Sequence, residues 1–192
     1  IDIGANVGLF TNYISNKNAK TIHSIEPTSK AFAELKNQFY YYNAVKLHKI
    51  GIGAKDTQLA IYSNNDNSTI SNFTTKTSDN ITEEIVDVLT LRTFYNHQNI
   101  KNISLIKIDI EGMEYEVIDS LSDADLLRCS RYLIEYHINT DNRLDKMLNR
   151  FKSLGYDIEL RPDVESNVQG HFFAKKKSDV IINQPPQRTG KF

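Results

Sequence analysis

The chain has 192 residues, 40% of them hydrophobic, and a formal net charge of −1. That length suits one well-packed core and is too short for two comfortable ones, and a domain of this size buries on the order of 70% of its unfolded surface without needing a metal or a disulfide. A lone cysteine, Cys129, rules out a disulfide framework, no apolar run of about 18 residues suggests a membrane helix, and the near-neutral charge argues against a nucleic-acid partner, so a soluble protein of a reducing compartment, by default the cytoplasm, is expected.

Ile1-Asp2-Ile3 reads as the end of a buried strand running into Gly4, so the sequence starts inside an element and further chain is expected upstream. After a glycine-rich turn, Leu9, Phe10, Tyr13 and Ile14 fall at helical spacing, and the run 21–25 (TIHSI) is a second strand ending at Glu26-Pro27. Thr28 is placed to cap a helix whose apolar face is Phe32, Leu35 and Phe39, and residues 45–50 alternate as a third strand toward Gly51 and Gly53. The alternation of strands and helices predicts a mostly parallel sheet with right-handed crossovers. Residues 59–62 suit a short strand, and 63–80, rich in Asn, Ser and Thr, predict a polar insertion that is mobile and borders the acceptor pocket. Strands follow at 85–89, 105–110 and 132–137, with a helix over 113–121 between the last two. Asp141 opens a helix carrying Leu144, Met147, Leu148 and Phe151, Gly155 suits its end, and strands 156–160 and 168–174 close the sheet. Residues 178–192 read as a disordered tail, and the sequons at Asn67, Asn72, Asn80 and Asn102 are what an Asn-, Ser- and Thr-rich chain produces by chance.

The chemistry starts at Asp2-Ile3-Gly4-Ala5-Asn6-Val7-Gly8, where a strand meets a helix: small residues let a ligand approach the backbone, and the helix start offers free N–H groups. Eighteen residues beyond Gly8, Glu26 ends the next strand, where a carboxylate can accept from both hydroxyls of a ribose. Together they predict an adenosine-type ligand. A dinucleotide fingerprint begun at Gly4 needs glycine at positions 6 and 9, and Asn6 and Leu9 stand there, which favours S-adenosylmethionine (AdoMet) over NAD. A dehydrogenase-type domain and a non-catalytic nucleotide-binding domain remain as alternatives.

DIGANVGLFT (2–11), IEP (25–27) and IKIDIEGME (106–114), in this order and spacing, resemble the FkbM-type AdoMet-dependent methyltransferases. The resemblance runs through Glu116-Val117-Ile118 and the strand ending Ile134-Glu135. It implies a Rossmann-like class I methyltransferase fold, α/β, with a mostly parallel sheet, helices on both faces and an antiparallel C-terminal strand. It also implies AdoMet as donor and O-methylation of a saccharide or similar small polar molecule. On this basis residues 1–177 are read as one methyltransferase domain. The family tends to carry Thr-Leu-Asp where this chain has Thr90-Leu91-Arg92, and glycine where it has Ser120.

Asp2, Gly4, Ala5, Asn6, Gly8, Glu26, Ile52 and Asp109 are the expected cofactor residues, with Ile52 laid against the adenine. Asp109 and Glu111 lie at the carboxyl end of a strand, where open α/β sheets bind ligands, and suit binding an amino group, accepting a proton, holding a divalent cation, or simply capping the next helix. Glu135 and His137 share one face of an otherwise apolar strand. His137, Glu111 and Glu135 are the catalytic candidates, with His137 as general base because an imidazole titrates near neutral pH. No metal is assigned. His23, His48, His97 and His171 are read as structural or solvated, and oligomeric state has no signature here.

Overall fold

The computed structural model describes residues 1–64, 71–72, 81–138, 142–163 and 168–177. In chain order the elements are β1 (Asp2–Ile3), α1 (Leu9–Ser15), β2 (Ile22–Ile25), α2 (Ser29–Phe39), β3 (Val45–His48), β4 (Gly51–Ile52), β5 (Thr57–Asn64), β6 (Ser71–Asn72) and β7 (Ile81–Leu89). There follow α3 (Leu91–His97), β8 (Ile106–Ile108), α4 (Glu114–Ser120), α5 (Asp123–Leu126), β9 (Arg131–His137), α6 (Arg143–Ser153), β10 (Tyr156–Pro162) and β11 (Gln169–Lys176).

Seven strands form the main sheet in the order β10-β11-β9-β8-β1-β2-β3, parallel except for β11, which runs antiparallel to both of its neighbours. The chain steps outward from β1 to β2 and β3, then returns to the other side of β1 with β8. That reversal opens a crevice at the carboxyl ends of β1 and β8, the place where such sheets bind ligands. Strand parity sorts the side chains. Ile3, Ile25, Ile106, Ile108 and Ile134 join the larger core, where α6 contributes Met147, Leu148 and Phe151. Asp2, in register with Ser24 and Lys107, points to the opposite face, where Ile22 packs with Leu35 and Phe39 of α2. Burying two strand faces under two sets of helices is what makes the central strands short and apolar.

Several expectations are revised. The strand expected over 45–50 stops at His48, and Gly51–Ile52 instead pairs in parallel with β7 in a second, four-stranded sheet of order β4-β7-β5-β6. The short strand expected at 59–62 is longer, because β5 pairs antiparallel with β7 from Thr57↔Val88 to Asn64↔Ile81. Two helices had not been expected, α3 and α5. In α3 the Thr90 side chain accepts from the Thr93 N–H, and Leu91, Phe94 and Tyr95 are buried; in α5 Ser122 and Asp125 form a capping box. Thr28 stands at the N-cap of α2 but its hydroxyl donates to Glu26 and does not cap. Gly155 ends α6 in the left-handed region, at φ +84°, as expected. Asp141, the tail 178–192 and most of the insertion 63–80 lie outside the described residues.

Candidate active site

The loop after β1 takes its shape from protein packed on protein. Gly4 has φ +74°, and a Cβ there would lie 1.8 Å from the Asp109 carbonyl oxygen, so only glycine lets the ends of β1 and β8 touch. Gly8, at φ +94°, would drive a Cβ to 2.6 Å from both Leu35 Cδ1 and Phe39 Cε2, so it seats α1 on α2. Asn6 between them also adopts a positive φ, which its side chain tolerates better than most. The sequence reading gave these glycines to ligand approach; Gly8 serves helix packing and is not part of the cleft wall.

Glu26 ties this loop to the next strand. Its Oε2 accepts from the Asn6 N–H at 3.0 Å, and its Oε1 accepts from the Thr28 N–H at 2.9 Å and the Thr28 hydroxyl at 2.6 Å. Burial pushes its pKa up, and these three bonds oppose the shift. A carboxylate offers about four acceptor positions, so one remains, on Oε2.

Asp2 lies beneath the loop and not in the cleft: it is fully buried, accepts from the Thr11 hydroxyl at 2.6 Å, and faces Lys107 Nζ at 3.6 Å. Lys107 also pairs with Asp109 at 3.0 Å and donates to the Gly4 carbonyl at 3.2 Å, so one partly buried ammonium ties the loop to the acidic edge of the sheet.

That edge gathers Asp109, Glu111, Glu114, Glu135 and His137 at the ends of β8 and β9. Glu135 donates a hydrogen bond to Asp109. Burial, that bond and the neighbouring carboxylates push the Glu135 pKa up to about 9. Asp109 is held below the usual carboxylate range: burial acts against it, but Glu135 and Lys107 together outweigh burial. Glu111 sits at φ +56°, in the left-handed region, and its pKa is raised by burial and then by Asp109. Glu114, the first residue of α4, is fully buried and accepts from the N–H groups of Ile110 at 3.0 Å and Gly112 at 3.1 Å.

A cleft of about 510 Å³ opens over the carboxyl ends of β1, β2 and β8, within the usual range for a small-molecule site. Gly4, Ala5, Asn6, Glu26, Ile52, Asp109, Glu111 and Glu135 all line it, as expected. Asp2, Gly8 and His137 do not. The His137 ring turns its Nδ1 toward Glu114 Oε2, 3.7 Å away, behind the wall. Lys107 and Phe10, which line the cleft, had not been singled out, nor had Glu114. The position of Lys107 inside an apolar strand was the available signal, since a buried ammonium needs a partner. Arg92, the departure from the family pattern, donates to Asp125 from Nε at 2.9 Å and from a terminal nitrogen at 2.5 Å, so the substitution is absorbed by an ion pair away from the cleft.

The family model for the methyltransferase FkbM domain matches residues 2–158. This chain belongs to the FkbM methyltransferase domain family. Methyltransferase 1 of Beauveria bassiana is 29% identical over 144 residues, covering 64% of this chain and 58% of that protein, so the chain spans little more than half of the relative's length. Among solved structures, fibrillarin of Aeropyrum pernix in complex with AdoMet aligns with TM-score 0.54 at 9% identity, over 90% of this chain and 64% of that one. TrmK of M. capricolum in complex with S-adenosyl-homocysteine aligns with TM-score 0.52 at 14% identity, over 91% and 60%. The fold is the class I methyltransferase fold, and the domain is a methyltransferase domain of the FkbM family. No helix among the described residues is long and apolar enough to cross a membrane.

Proposed function

We propose that the cleft binds AdoMet and that the domain transfers its methyl group to a hydroxyl of a small polar acceptor, with saccharides as the first class to test. One observation carries this reading: the loop 4–6, Glu26, the apolar wall of Ile50, Ile52 and Ile61, and the carboxylates Asp109, Glu111 and Glu135 all line one open cleft. The residues fit the cofactor. The free acceptor position on Glu26 suits a ribose hydroxyl, the apolar wall an adenine face, and Asp109 a cationic amino group. AdoMet supplies an electrophilic methyl group on a sulfonium that is already a good leaving group.

The remaining work for the protein is alignment and removal of one proton, so positioning supplies most of the rate. Glu111 is the group on the cleft wall best placed to take that proton, because Asp109 and Glu135 are bonded to one another and His137 stands behind the wall. An acidic edge on a chain of net charge −1 suits an alcohol better than a phosphate-bearing acceptor. A cleft this open also speaks against a catalytically dead relative, in which side chains would fill it.

Transfer of label from methyl-tritiated AdoMet to a panel of hydroxylated small molecules tests the proposal. The expected product is one methyl group heavier, methylated on oxygen, and lost in Glu111→Gln. A product methylated on nitrogen would defeat the hydroxyl acceptor.

A further inference from the structure

We propose that Glu114, Glu135 and His137 form a binding site for one divalent transition-metal cation at the inner end of the cleft. Each of the three offers a ligand atom, and these atoms lie within 4.8 Å of one another; a bound cation takes the place of the proton that Glu135 donates to Asp109, and that proton is released to solvent. The decisive feature is an unanswered pair behind the cleft wall. Glu114 is fully buried, one of its oxygens is satisfied by the N–H groups of Ile110 and Gly112, and the other, Oε2, has no hydrogen-bond partner among the described residues. His137 Nδ1 is likewise buried without a hydrogen-bond partner among the described residues, and the two atoms face each other at 3.7 Å, too far apart to bond. A buried carboxylate oxygen left this way destabilises the fold, whereas a cation between the two atoms would answer both.

The scaffold fixes the geometry. Glu114 is held by the turn that ends β8, Glu135 and His137 are two apart on β9, and the Tyr115 hydroxyl donates to the His137 carbonyl at 2.6 Å, pinning α4 to the end of β9. Bond lengths of about 2.0–2.2 Å at tetrahedral angles put ligand atoms about 3.3–3.6 Å apart, so Glu114 and His137, at 3.7 Å, already stand near that spacing and Glu135 closes in by a change of its side-chain rotamer. One imidazole with two carboxylates is a mixed nitrogen and oxygen set, suited to Mn²⁺, Co²⁺ or Zn²⁺ and not to Ca²⁺, which takes oxygen alone.

Of the three ligands only Glu135 lines the cleft, so a cation held by the three would meet the cleft on the Glu135 side. A cation there would orient and polarise the acceptor hydroxyl. This use rests on the methyl-transfer reading, while the existence of the site does not. The Glu114 oxygen that caps the turn is the same atom type in glutamine, so Glu114→Gln keeps the local fold and removes the ligand charge.

The test strips the protein with chelator, dialyses it against Mn²⁺, Co²⁺ or Zn²⁺, and measures bound metal by mass spectrometry beside a calorimetric titration with S-adenosyl-homocysteine. One equivalent of cation is expected, with affinity lowered at least about 10–100-fold, the loss that even an outer-shell partner brings, in Glu114→Gln and in His137→Gln. Glu111→Gln should bind the cation like the parent. Spin-echo modulation from one imidazole nitrogen on bound Mn²⁺ is expected in the unmodified protein, which keeps the test alive if a variant fails to fold. Metal binding without S-adenosyl-homocysteine binding would defeat the methyl-transfer reading and leave this site standing. Binding of S-adenosyl-homocysteine with no retained cation, no imidazole signal, or cation affinity unmoved by both substitutions would overturn it.

Discussion

Replacing Glu26 with glutamine separates cofactor binding from folding. The carboxylate receives the N–H of Asn6, the N–H of Thr28 and the hydroxyl of Thr28, leaving one acceptor position for a ligand. Glutamine has a single oxygen. With that oxygen turned to Thr28, its amide nitrogen faces the Asn6 N–H, donor against donor, and the position proposed for the ribose presents a donor as well. A hydrogen bond to a charged group contributes about 1.5–3 kcal/mol, so the Kd for S-adenosyl-homocysteine should rise roughly 10–150-fold. The cost to the fold should be smaller. Burial already raises the Glu26 pKa, so removing its charge relieves desolvation and offsets part of the lost Asn6 bond, for a net loss of about 1 kcal/mol. That corresponds to a Tm lower by about 2–4 °C. Calorimetric titration of both proteins, with Tm read on the same samples, makes the comparison. An unchanged Kd with a much lower Tm would show that Glu26 only braces the turn, and would refute its assignment to the cofactor.

Gly8→Ala combines a positive φ, worth about 1–2 kcal/mol for an L residue, with overpacking against Leu35 and Phe39, worth about 1–3 kcal/mol; a Tm lower by roughly 4–20 °C is expected, and thermal melting within 1–2 °C of the parent would contradict the packing role. His23 is held neutral by burial and by His48, 3.0 Å away, with its pKa lowered to about 4. The unfolded chain protonates near 6.5, so stability is full above that pH and falls between about 6.5 and 4; half-burial reduces the effect to about 1–2 kcal/mol. His23→Phe should flatten this part of the denaturant-midpoint profile, and a profile as steep as the parent's would count against it.

The legible parts of the fold were those where one local rule sufficed. Gly4, Asn6 and Gly8 mark a strand-to-helix turn by residue type alone, and the period of Leu144, Met147, Leu148 and Phe151 marks α6. Helix α3 carries an equally good signal, with Thr90 as cap and Leu91, Phe94 and Tyr95 at helical spacing. The split at His48 could not be read, because Ile50 to Gly53 alternate like a continuation of β3 and only pairing with β7 decides the sheet they join. In the site, strand parity put Asp109 and Glu135 together correctly. It also put His137 beside Glu135, and their side-chain atoms lie within 4.8 Å of one another; what it did not show is that the ring turns toward Glu114, a contact across 23 residues that no periodicity encodes. The roles of Gly4 and Gly8 were likewise hidden, since the atoms a Cβ would strike belong to Asp109, Leu35 and Phe39, distant in sequence.

The central claim is that one cleft, built by the loop 4–8, Glu26 and the acidic ends of β8 and β9, holds AdoMet. A calorimetric titration of the chain with AdoMet, S-adenosyl-homocysteine and NAD in turn tests it most directly. The account predicts one site for the first two, weakened together by Glu26→Gln, and no heat from NAD; saturable NAD binding with none for either adenosyl compound would contradict it.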